Sequence, residues 1–459
     1  MQTPPLPPRR DFAASPRALW LLCLGLFGVY TASKVQMQMD SLWSIPSAAS
    51  ILHEGNTDLD EFRPTFTPGT DYAHSEFGGR VYYVYPPGVM VSALPFVAAA
   101  EGFFSLVRPL LPHLGPLGGR ALSWLEMFQR TGLIDLGSYH RTEQLIASFY
   151  VCAAAGVLLV ALRRRVSPRA ALATVLLFGL GTTVYSTASR VLWQHAPSLL
   201  AVCCIVLLLA RPVQTARTAF LLGLTVALGY VCRPTNSLSV IVVTAYLALR
   251  FWRQLPVYFA GATLVAIPFC AYNLAIYGAL LSPYYQTSLH LVPGRFFMAL
   301  AAHLVSPSRG LFVFSPFLVL SAVGFVQQWR RRGLEPYEVA FAVIPLLHWV
   351  AISAFPMWWA GHSVGPRFFT DVLPYLVYFL AFPVQTAVEA PRQHRLLAGV
   401  LTVTAVCSVL LHWRASSTFA VHAWNSVPVN VDSAPERVWD WKDAQFLRAL
   451  PSRFLSPPS

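Results

Sequence analysis

The sequence predicts an all-α fold class, a polytopic bundle of about eleven membrane-spanning helices. Three observations carry it. Over 459 residues, 55% are hydrophobic and 12% charged, with a mean hydropathy of +0.53, a balance far from that of a water-soluble globule. The apolar residues fall in runs near the spanning length of about 20 residues. The basic residues fall in short clusters between those runs, as orientation signals do.

Taken in order, spans are expected at 17–34, 142–162, 170–188, 195–211, 217–232, 236–250, 256–273, 311–328, 336–355, 371–388 and 396–413. The first follows Arg9, Arg10 and Arg17 and has no clear small-residue cleavage site, so it is expected to stay as a signal anchor. Arg163 to Arg165 with Arg169, Arg211 with Arg217, Arg250 with Arg253, Arg330 to Arg332, and Arg392 with Arg395 share one side, which the positive-inside rule makes cytoplasmic. Residues 1–17 are then inside, 18–413 form the membrane domain, 34–141 its first outer loop with interfacial helices, and 414–459 a short outer tail of a cell inner-membrane protein. Residues 86–107 are long enough to cross, but a crossing would carry the Arg163 cluster outside unless 119–137 crossed too. With Pro86, Pro87, Pro95 and Glu101, the segment is expected to lie as an interfacial or re-entrant helix.

Several function classes drop out. The formal charge of +13 is spread over inter-helix clusters rather than one basic face, which excludes nucleic-acid binding. Cys23, Cys152, Cys203, Cys204, Cys232, Cys270 and Cys407 all sit in apolar stretches, which indicates packing residues rather than disulfides or a zinc framework. No metal site is assigned, and no Gly-rich phosphate loop is present.

The acids narrow the chemistry. Asp40 follows the first apolar run directly, which puts a carboxylate at the outer surface where a lipid head group would lie. A carboxylate anchored at a helix end is held better for general-base work than one on a free loop. Asp58, Asp60, Glu61 and Asp371 are the secondary acid candidates. Arg80, Arg190, Arg233, Arg295, Arg309 and Arg367 stand singly at outer helix ends, in a chain with only two lysines, Lys34 and Lys442, and of these Arg80, Arg233, Arg309 and Arg367 are the substrate-binding candidates. Arginine grips phosphate in a forked geometry that lysine cannot reproduce, so a phosphorylated lipid is the expected ligand. Three outer segments accompany them: VYYVYPPGVMVSALPF, SPSRGLFVFSP and WWAGHSVGPRFFTDVLP. Tyr85, Trp359 and His362 from these join the substrate-binding candidates. Gly361, Gly365 and Pro366 just before Arg367 and a helix permit close backbone approach to an anion.

An acid after the first helix in DSLWSIPSAASILHEGNTDLDEF, a YPPG segment opening an apolar run, an Arg-rich turn after the next span and a late WWAGHSVGPRF loop together resemble the GT-C superfamily of polyprenyl-phosphate-sugar glycosyltransferases. The likeness is close to bacterial relatives of protein mannosyltransferases and aminoarabinose transferase, over roughly residues 18–390. The resemblance implies a GT-C-type bundle and sugar transfer, with inversion, from a polyprenyl-phosphate donor to a glycan, lipid or protein acceptor among membrane lipids. It makes Asp40 the catalytic base. Where the family often carries a second acid, Ser41 stands here, with Asp58, Asp60 or Glu61 as compensation and a divalent metal left open. Arg367 and Arg309 would lead in holding the leaving phosphate. Two rival classes remain: a lipid-linked sugar transporter or flippase, which should show mid-membrane charges and two similar halves, and another envelope transferase using His195, His290 or His362.

Overall fold

The computed structural model describes residues 12–35, 37, 40–66, 72–119, 122, 136–211, 214–286 and 292–449. Arg9, Arg10, most of the 119–137 stretch and His290 lie outside them. The chain is an all-α, multi-pass bundle. Its longer helices are α1 (Pro16–Ala32), α2 (Ser44–His53), α3 (Pro87–Val107), α4 (Leu136–Leu162), α5 (Pro168–Leu180), α6 (His195–Leu209), α7 (Ala216–Cys232), α8 (Ser237–Arg250), α9 (Leu255–Tyr277), α10 (Pro293–Val305), α11 (Leu320–Arg332), α12 (Pro336–Ser353), α13 (Leu373–Glu389) and α14 (Arg395–Ser417).

Local chemistry sets many of the boundaries. Ser15 caps α1 by accepting the Ala18 amide at 3.2 Å, with Pro16 at the first helical position, where a missing N–H costs nothing. Among the described residues six helical stretches are long and apolar enough to cross a membrane, and α1, α5, α6, α7 and 294–305 are shorter apolar helices. The expected span at 311–328 is broken: a single turn, Leu311–Phe314, a 3-10 turn, Pro316–Val319, and then α11. Pro316 has no N–H to continue the first turn. The run expected at 170–188 ends at Gly181 and resumes as a π turn, Val184–Ala188. The amphipathic α10 falls where no span was expected. Residues 86–107 do form a helix, α3, which belongs to one of the six stretches and packs against α2 and the end of α7.

The core runs along α4, α5, α6 and α13, where Leu158, Phe178, Val202, Tyr375 and Tyr378 are buried together. Glycine lets the outer pair α7 and α9 close up: a Cβ on Gly223 would meet the Tyr258 carbonyl oxygen at 1.8 Å, and one on Gly261 the Phe220 oxygen at 2.1 Å. Such small-residue crossings replace the hydrophobic drive that lipid removes. The loop between α1 and α4 also carries a hairpin where only interfacial helices were expected. Strands β1 (His74–Phe77) and β2 (Arg80–Tyr83) pair antiparallel through Gly78 and Gly79, whose φ of 58° and 80° fit the two-residue turn that hairpins prefer.

The polar clusters divide between the two ends of the bundle. At one, Arg164 reaches the Leu207 carbonyl at 3.2 Å, Ser167 reaches Glu389 at 2.5 Å and Arg332 reaches Glu338 at 2.6 Å. At the other lie the hairpin, Asp40, Arg367 and the tail after α14.

Candidate active site

Asp40 sits in the turn that leads into α2. Its backbone carbonyl accepts from Tyr83 Oη at 2.6 Å, which fixes the turn to β2. Its Oδ1 accepts from Tyr85 Oη at 3.1 Å and from Tyr72 Oη at 3.4 Å. Burial, reinforced by the Asp40 charge, pushes both phenols above their usual range, so they stay protonated and donate.

Its Oδ2 accepts from Arg367 Nη2 at 2.7 Å, a contact between residues 327 positions apart. Arg367 opens the 3-10 turn, Arg367–Val372, that feeds α13. Its guanidinium carbon lies 3.9 Å from the centroid of the Trp193 ring, close enough for cation–π attraction. Its Nε donates to His195 Nε2 at 3.3 Å. That acceptor role leaves the imidazole proton on Nδ1, which faces Asp371 Oδ2 at 3.1 Å.

Asp371 is buried and anchored twice more, by Ser198 Oγ at 2.9 Å and by an ion pair with Arg233. Arg233 donates onward to Gln194 Oε1 at 3.3 Å, and Gln194 Nε2 donates to Tyr284 Oη at 2.7 Å. The Tyr284 and Tyr85 rings lie 5.0 Å apart, which brings the chain of contacts back to Asp40. The circuit joins four charged groups, Asp40, Arg367, Asp371 and Arg233, in alternating sign. Trp193, Gln194 and His195 enter it as three successive residues at the start of α6. That polar and aromatic triplet, WQH, directly before an apolar helix, was the signal available in the sequence; Tyr72 and Tyr284 had none.

The other expected residues lie elsewhere. Arg80 pairs with buried Asp58 at 2.8 Å, with its own side chain 58% exposed. Asp60 takes Arg63 at 2.8 Å and the Val81 amide at 3.1 Å, and Glu61 accepts from Ser50. Burial pushes the Glu61 carboxyl up. Glu54, Asp58 and Glu61 offer oxygens within 4.8 Å of one another, the group among the described residues that could hold a cation. His362 meets Asn430 at 2.9 Å, and Trp359 Nε1 donates to Asp432 at 2.7 Å. Both partners come from the tail.

Arg309 departs most from the sequence expectation of a phosphate ligand. Its five N–H donors go to five protein oxygens: Trp359 O at 2.6 Å, Ser308 O at 2.8 Å, Gln445 Oε1 at 3.0 Å, Gly361 O at 3.0 Å and Asn425 Oδ1 at 2.8 Å. None is left for a ligand. Burial, and then the like charge of Arg367, pushes it down to about 9.

No family model matches the chain, and no curated protein matches it. Its structure is similar to the crystal structure of ArnT from Cupriavidus metallidurans in the apo state. The TM-score is 0.48 at 16% identity, covering 89% of this chain and 68% of that one. This likeness concerns the course of the chain and not the site.

Proposed function

We propose that this protein is a membrane glycosyltransferase of the GT-C kind, which moves a sugar from a polyprenyl-phosphate carrier to an acceptor hydroxyl at the outer face, with inversion. The observation that carries the reading is the Asp40–Arg367 pair. A carboxylate and a guanidinium meet at 2.7 Å with their side chains 18% and 13% exposed, at the bundle end opposite the basic clusters. The positive-inside rule puts that end outside, in a cell inner membrane.

In this reading Asp40 takes the proton from the acceptor hydroxyl as its oxygen bonds to the anomeric carbon. The carbon–oxygen bond to the carrier breaks on the opposite face, and its electron pair stays on the phosphate. Arg367 meets the charge that develops there, held in place by the Trp193 ring and His195. Because Arg367 holds Asp40 at rest, a phosphate that engages Arg367 frees the base as it binds. Arg233, matched to Asp371, supports the arrangement from behind. Arg309 has a structural task instead.

The test is mass spectrometry of polyprenyl-phosphate sugars in cells lacking the protein and in cells carrying Asp40→Asn. One donor should accumulate without the protein and should accumulate equally with the variant, as expected when loss of a general base slows transfer by roughly 10²-fold. Normal donor levels with a fully expressed Asp40→Asn protein would refute the reading. A donor trapped on the cytoplasmic leaflet would instead identify a flippase.

A further inference from the structure

The loop that delivers Arg367 is tied down by the end of the chain. Gln445 Oε1 accepts from the Gly365 amide at 3.2 Å as well as from Arg309, and its Nε2 donates to the Ser363 carbonyl at 2.8 Å. Gln445 is buried, as is Asn425, and both reach the loop through the saturated guanidinium of Arg309. Gly365 has φ +63° and a Cβ there would meet the Phe314 ring at 2.9 Å, so the backbone two residues before Arg367 is held in a shape only glycine adopts easily. Tail residues Val421 and Phe446 pack in the same apolar cluster as Val364, Phe314 and Trp193. Trp193 is the ring that carries the Arg367 guanidinium. Arg414 closes the strap onto α14 by donating to the Phe446 carbonyl at 3.3 Å.

We infer that the tail, residues 419–447, is a strap that sets the position of Arg367, with Gln445 as its positioning residue. The inference rests on the proposed role of Arg367 as phosphate ligand. Gln445 never touches the substrate. It fixes the Gly365 amide and the Ser363 carbonyl, and the guanidinium two residues further on inherits that placement. The same clamp joins two segments far apart in sequence, so the fold past the last helix belongs to the site.

Two measurements on the full chain in detergent micelles test this, on Gln445→Ala and on the bulkier Gln445→Met as a guard against collapse. In hydrogen–deuterium exchange, the Gly365 amide should exchange about 5-fold faster in both, as expected for loss of one hydrogen bond. Undecaprenyl phosphate, used as the probe, should bind about 5-fold more weakly to Gln445→Ala. Against an Arg367→Ala background the Gln445 change should cost nothing further, since its effect runs through Arg367. Unchanged Gly365 exchange in both variants would overturn the strap. So would additive losses in the double variant, the mark of general destabilisation. Probe binding by Arg367→Ala equal to wild type would overturn the phosphate role of Arg367, while the exchange measurement still decides the strap.

Discussion

Replacing Asp40 with Asn should make the protein bind a polyprenyl phosphate more tightly while it loses transfer. At rest the Arg367 guanidinium spends its Nη2 on Asp40 Oδ2 at 2.7 Å, and a phosphate must compete for it. A charge-assisted hydrogen bond in a partly buried setting contributes about 1.5–3 kcal/mol. Part of that is recovered by the neutral amide, which keeps size and an acceptor oxygen for Arg367. Releasing about 1.4 kcal/mol of competition gives tenfold, and removing a negative charge beside the incoming anion acts in the same direction. Undecaprenyl phosphate should therefore bind Asp40→Asn roughly 10-fold more tightly than wild type. The measurement is a titration in detergent micelles at fixed ionic strength, followed by intrinsic fluorescence, with Arg367→Ala as the control in which the gain should shrink to the charge effect alone. Weaker binding by Asp40→Asn, or an equal gain in the Arg367→Ala background, would refute the competition.

Arg309→Lys should destabilise the protein, because three donors at a single point cannot serve five oxygens spread around a planar group. With at least two buried oxygens left unpaired, a loss on the order of 2–5 kcal/mol should show as a lower thermal unfolding midpoint, and an unchanged midpoint would contradict the structural role. Burial, then the charges of His362 and Arg309, lowers His422 from 6.5 to about 4. As pH falls, the unfolded chain takes up that proton first, so stability is full above 6.5 and drains away towards 4. The loss should reach about 3 kcal/mol, and His422→Gln should flatten the dependence of unfolding midpoint on pH across that window. In intact cells a cysteine at position 60 should label from outside and one at position 331 should not; the reverse pattern would invert the orientation.

Element type was legible where the physics is local. Apolar runs gave most of the helices, and Arg clusters separated the two ends, because burial in lipid and positive-charge bias act on short stretches. The failures are also local in origin. Pro316 interrupts a run whose composition alone reads as one span, and Gly78–Gly79 between β-forming residues signals a hairpin that the surrounding apolar pattern obscured. The site was legible only in part. Asp40, Arg367, Arg233, Tyr85 and Asp371 stood out as charges or aromatics at helix ends, and the structure brings them into one circuit. Tyr284 has no such mark, since its role arises from pairing with Gln194 across 90 positions. Arg309 misled for the opposite reason: an outer arginine that holds loops together has the same local sequence as one that meets a ligand. The tail, expected as a short outer segment, is structured by partners that no scan of the tail itself would find.

The four alternating charges of the site circuit cancel, and this has a bearing on how a turnover would end. In the proposed reaction Asp40 would carry the acceptor's proton after transfer and the carrier phosphate would have gained a negative charge, so Arg367 would belong to the phosphate. Once Asp40 sheds that proton to the water at the membrane surface, the carboxylate returns as a rival anion and the spent carrier is expelled by charge balance. The site would thereby reset itself by charge alone, with proton release to the medium as the step that makes the cycle one-directional.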